Sequence, residues 1–161
     1  MEIRFAEIED VPGILDLLKQ VGQVHHRGRP DIFRAGAQKY GASQVIAMLN
    51  KPRNPIFVAV EEDAVVGYCF CMVKVHEKDP VIADFTELYI DDLCIDETRR
   101  GQHIGTKLYE TACRYAKQQG CYSVTLNVWS CNESAMAFYE SLGLKPQKVG
   151  MEYILEDKNA D

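Results

Sequence analysis

No stretch of this 161-residue sequence approaches the ~18 consecutive apolar residues that cross a bilayer, so no membrane association is expected. The start, Met1-Glu2-Ile3-Arg4-Phe5, lacks the long apolar region of a secretory signal. Basic charge is short as well. Eighteen Lys and Arg stand against 24 Asp and Glu, giving a net charge of −6. Nucleic acid is therefore disfavoured as a partner, since its binding rests on clustered cations. Metal-ligand spacing is also missing. The six cysteines (69, 71, 94, 113, 121 and 131) form no C-x-x-C pair, and the four histidines (25, 26, 76 and 103) suggest no metal site. Cys69 and Cys71 lie two apart in a strand pattern, share a face and are poorly placed to bond each other. Reduced, mostly buried thiols fit the cytoplasm, the expected location.

What is present suits one globular domain spanning residues 1–161, with 47% hydrophobic and 26% charged residues. Ile3 to Ala6 reads as a strand, and Val11 to Val21 as a helix with Val11, Ile14, Leu15, Leu18 and Val21 on one stripe. Residues 22–37 have no clean period and read as a long loop. A second helix is expected from about Lys39 to Asn50, before Pro52. Ile56 to Glu61 and Ala64 to His76 form a hairpin around Glu62-Asp63, and Phe85 to Ile95 pairs next. Further strands are expected at 123–128, 144–149 and 151–155.

The most informative stretch is Arg99-Arg100-Gly101-Gln102-His103-Ile104-Gly105. It lies between an apolar strand and a helical pattern carried by Ile104, Leu108, Ala112 and Tyr115 and stopped by Gly120. A turn that opens a helix leaves several backbone N–H groups unpaired at the positive end of the dipole. Such a place suits a phosphate, and Arg99 and Arg100 add charge. Six acids without a base lie between Asp84 and Glu97 (Asp84, Glu87, Asp91, Asp92, Asp96 and Glu97). An acidic mouth of this kind favours cationic ligands such as amines. Consecutive strand residues face opposite sides, so Asp91 or Asp92 must point inward or along a cleft.

Residues 85–155 resemble the GCN5-related N-acetyltransferase (GNAT) family. The family's Gln/Arg-x-x-Gly-x-Gly/Ala turn is similar to Arg100-Gly101-Gln102-His103-Ile104-Gly105, with His103 in place of the middle Gly. Its Asn-x-x-Ala-x-x-Phe-Tyr-x-x-x-Gly-Phe pattern is similar to Asn132 through Leu144. The resemblance implies an α+β fold: a mixed, mostly antiparallel sheet of six to seven strands with about four helices, ordered β-α-α-β-β-β-α-β-α-β-β. It also implies acetyl-CoA as co-substrate. The diphosphate would lie on Arg100, Gly101, Gln102, His103, Ile104, Gly105 and Thr106. The pantetheine arm would run along Leu93, Cys94 and Ile95, with Asn132 touching the cofactor as well as capping its helix.

Acetyl transfer to an amine needs a neutral nucleophile, donors for the oxyanion and a proton for the leaving thiolate. The resemblance makes Tyr139 the acid; helical periodicity alone reads it as a core aromatic. Asp91 is the candidate base by resemblance to polyamine-type members, with Asp92, Glu87 or a water chain as alternatives. The expected activity is N-acetylation of a primary amine, with a small cationic acceptor such as a polyamine or amino sugar favoured over a protein N-terminus or lysine. A non-catalytic acyl-CoA sensor is the second reading, and a homodimer is the candidate assembly.

Overall fold

The computed structural model describes residues 1–156, and one five-stranded sheet organises it. Strands β1 (Glu2–Phe5), β2 (Ile56–Glu61), β3 (Ala64–His76), β4 (Phe85–Ile95) and β5 (Ser123–Leu126) lie side by side in chain order. The first four are antiparallel to their neighbours; β5 runs parallel to β4 because a helical crossover joins the two. The β2–β3 hairpin closes tightly through Glu62 and Asp63, at φ 50° and 62°, the twist that matches a two-residue hairpin.

Helices α1 (Val11–Gly28) and α2 (Ala42–Leu49) cover one face. There Ile14, Leu18 and Val45 pack on Val58, Tyr68 and Phe70. Helix α3 (Ile104–Gln118) covers the other, laying Leu108, Ala112 and Ala116 on Phe57, Cys69, Leu88 and Ile90. Helix α4 (Glu133–Ser141) follows β5. The chain is thus α+β, as the sequence implied.

Three expectations are corrected. Helix α1 runs on to Gly28, through residues read as loop. Gly22 marks a close approach there and does not break the helix: a Cβ at this position would lie 2.1 Å from the Ala37 carbonyl oxygen. Helix α2 begins at Ala42, later than expected. Residues 144–155 form no strand, so the sheet has five strands and not six or seven. Strands exist by pairing, and this segment joins no ladder among the described residues.

Candidate active site

The sheet is opened at β4 by a single extra residue. Phe70 pairs with Asp92 but Cys71 pairs with Ile90, so Asp91 is bulged out of the ladder. Beyond it β4 also loses its other neighbour, because β5 pairs only with Glu87 to Ile90. Residues 91–95 thus border a gap between β4 and β5. The bond from Asp96 N to Val66 O fixes the phase of the β3–β4 ladder. Alternation then turns the N–H and C=O groups of Leu93 and Ile95 away from β3, toward the gap. The Ile95 carbonyl is met there by the Gln20 side-chain amide at 2.9 Å.

The bulge also overturns the expectation that Asp91 and Asp92 face opposite ways. Tyr68 donates to Asp92 at 2.8 Å, and Tyr40 donates to Asp91 at 2.5 Å. Both tyrosine rings pack on Phe70, on the α1–α2 side of the sheet. Lys39 pairs with Asp91 at 3.0 Å and balances its charge. Asp92 has no such ion pair among the described residues. Desolvation raises its pKa above the ordinary carboxylate value, although the Tyr68 hydroxyl and the charges of Lys39 and His25 work against the rise. The same desolvation, and the carboxylates beside them, push Tyr40 and Tyr68 well above 10.

Tyr139 sits on α4, which docks against the start of α3. Phe138 lies so close that a Cβ on Gly105 would be 3.0 Å from its ring. Asn132 caps α4, its side chain accepting from Ala135 N at 3.2 Å. Burial, with Cys69 and Asp92 adding, lifts the Tyr139 phenol far above its usual pKa, so the ring carries its proton at any working pH. Cys94 is likewise raised by burial, to about 12, and is no thiolate nucleophile.

The opening of α3 has an anion-binding form. No side chain caps it, and its first turn carries no acid. The turn reaches it through Gly101 at φ 79° and His103 at φ 60°, so His103 adopts the left-handed conformation usually left to glycine. Arg100 is exposed beside these donors, whereas Arg99 is drawn aside by Glu61 at 2.8 Å.

Other acids of the expected mouth serve locally. Asp84 accepts from Lys78 N, Glu87 meets His76 and Thr125, and Asp96 binds Thr98. Sequence reasoning missed Lys39, Tyr40 and Tyr68, together with an aromatic group in which His25 and Trp129 both contact Phe33. Tyr68 offered only strand periodicity, Lys39 and Tyr40 were expected at the start of the second helix, and His25 and Phe33 fall in the segment read as a loop. Among the described residues no group of three or more His, Cys, Asp or Glu could hold a metal, and no helix is long and apolar enough to cross a membrane. The Cys69 and Cys71 thiols are free and 3.6 Å apart.

Comparison with known proteins gives this arrangement a lineage. The model of the Acetyltransferase (GNAT) family matches residues 23–144. The N-alpha-acetyltransferase 30 of Schizosaccharomyces pombe is 34% identical over 104 residues, 65% of this chain and 66% of that protein. Human N-acetyltransferase 8B is 32% identical over 99 residues, 54% of this chain and 42% of that protein. The chain thus spans less than two thirds of the length of these curated relatives. A solved mutant of the BH1408 protein from Bacillus halodurans superposes with a TM-score of 0.93 at 33% identity, covering 97% of this chain and 100% of that one. An aminoglycoside N-acetyltransferase, AAC(6')-Iy, solved with CoA, shares the fold at a TM-score of 0.71 and 13% identity, covering 97% of this chain and 100% of that chain.

Proposed function

Since the chain belongs to the acetyltransferase (GNAT) family, we propose that it transfers the acetyl group of acetyl-CoA to a primary amine, and that a small basic amine is its acceptor. The observation that carries this reading is the end of β4 opened by the Asp91 bulge, where Asp92 has no ion pair among the described residues and its charge acts on the Tyr139 phenol. A carboxylate without an ion pair and a phenol that keeps its proton supply a candidate base and a candidate acid.

The uncapped donors of Ile104, Gly105 and Thr106, with Arg100, take the diphosphate of acetyl-CoA. The backbone of Leu93 and Ile95 holds the pantetheine arm along the gap. Asp92 accepts a proton from the acceptor ammonium, directly or through water, and Tyr139 returns one to the departing thiolate. Asp91, held by Lys39 and Tyr40, shapes the acceptor side and is the less suited of the two carboxylates to act as base.

Thiol release from acetyl-CoA, measured across polyamines, amino sugars, amino acids and peptide N-termini, tests the reading. With the best acceptor, kcat/KM falls on acidification through the Asp92 pKa, at a midpoint above 3.8. Asp92→Asn abolishes that limb and lowers the rate by ~100-fold or more. An Asn variant that works within a few-fold of the parent, in an assay limited by chemistry, would remove Asp92 as base.

A further inference from the structure

Three aromatic side chains stand beside the opened end of β4, and the transfer chemistry uses none of them. Each comes from a different segment: His25 from α1, Phe33 from the loop between α1 and α2, and Trp129 from the loop between β5 and α4. The His25 and Phe33 rings lie 4.9 Å apart, and Trp129 meets Phe33 edge-on at 5.1 Å. Local bonds fix two of the backbones. His26 Nδ1 donates to the Phe33 carbonyl at 2.7 Å, and the Trp129 carbonyl accepts from Asn132 N at 2.8 Å.

Helix α1 carries this group over the gap. Gln20 holds Ile95 on the β4 side, whereas Gly28 abuts the loop after β5, where a Cβ would stand 2.8 Å from the Cys131 sulfur. That step along the helix covers about 12 Å, more than two strand spacings. His25 follows Val21 by one turn, and Val21 packs on the core cluster that holds Tyr68 and Phe70. His25 therefore continues the sheet-facing stripe past β4, on the side to which Asp92 points, and its charge acts on that carboxylate.

The acids of this site form a point, and the rings form a wall. Asp92 has no ion pair among the described residues, whereas Asp91 is balanced by Lys39. Asp84, Glu87 and Asp96 are held by their own neighbours. A polycation is matched by a row of free carboxylates, not by one. A single ammonium on Asp92, with a flat apolar body against the rings, fits this arrangement, since aromatic faces attract both. Trp129 is the sole tryptophan of the chain and stays 42% exposed, so part of its surface remains for a ligand.

We infer that His25, Phe33 and Trp129 wall the acceptor pocket and select a primary amine joined by a short chain to an aromatic ring. This narrows the acceptor of the proposed acetyl transfer and rests on that reading.

Thiol release from acetyl-CoA, compared for phenethylamine, propylamine and spermidine, tests the selection. The kcat/KM for phenethylamine is expected to exceed the other two by about tenfold or more. Trp129→Ala is expected to lower the ratio of phenethylamine to propylamine by about tenfold, and Trp129→Phe to keep most of it. In the unaltered protein with CoA, phenethylamine is expected to shift the emission of the single tryptophan saturably, and propylamine to leave it unchanged. A parent that acetylates propylamine or spermidine as well as phenethylamine overturns the inference, and so does an Ala variant of unchanged preference. A chain that turns over none of these amines, while another acceptor class releases thiol, also overturns it. If no acceptor releases thiol, acetyl transfer itself fails, and the emission titration decides on the ring wall, an unchanged emission overturning it. The same titration decides if the Ala variant does not fold.

Discussion

At the scale of single residues, Tyr139 and His103 carry the sharpest expectations. Tyr139→Phe keeps the ring that fills the space beside Phe138 and deletes only the proton donor. Its kcat should fall ~100- to 10,000-fold in stopped assays of thiol release, with CoA affinity and melting temperature nearly unchanged. A variant of near-parental turnover, in an assay limited by chemistry, would return Tyr139 to the status of a packing aromatic. His103 stands at φ 60°, where a side chain costs roughly 1–2 kcal/mol relative to glycine's freedom. His103→Gly should therefore stabilise the protein by about 1 kcal/mol in urea titration and retain activity. Asn132 was legible as a cap, and Tyr139 as an inward-facing aromatic of α4. Lys39 and Tyr40 were not, because they reach Asp91 across more than fifty positions of sequence, and no local pattern records such a contact.

At the scale of elements, the opening of α3 is the part whose chemistry follows from its backbone. Uncapped donors and a first turn free of acids attract an anion whatever side chains surround them. Arg100→Glu places a negative charge beside those donors and should weaken CoA binding at least tenfold, about 1.4 kcal/mol, by calorimetry. Unchanged affinity would take Arg100 out of the site. Periodicity located β2, β3, β4 and α3 well because each buries a long regular face. It failed at the end of α1, where Gly22 and Gly28 look like punctuation. Both admit close neighbours instead: Ala37 against Gly22, and the Cys131 sulfur, 2.8 Å from a Cβ at Gly28. Nor could it find the bulge, because one extra residue in β4 leaves the apolar pattern on either side undisturbed.

For the whole molecule, the net charge of −6 sets a field that outlasts the local pairing of Asp84, Glu87 and Asp96. A basic acceptor is drawn by that field, so its kcat/KM should decline as salt rises and the field is screened within about 8–10 Å. A preferred acceptor of negative charge would overturn this. The number of strands was the least legible property of the fold. Alternation at 149, 151, 153 and 155 records a capacity to pair, whereas a strand also needs an edge to pair with, and a single chain does not show where that edge lies.

The bulge at Asp91 has a consequence in terms of parity. Ile90 faces the α3 layer and Asp92 the α1 layer, and they would do so equally if Asp91 were absent. The two halves of β4 therefore stay in step with their cores whether the odd residue is there or not. A lineage carrying this sheet can gain or lose an opened strand by inserting or deleting one codon. Neither hydrophobic layer would need rewriting to accommodate the change.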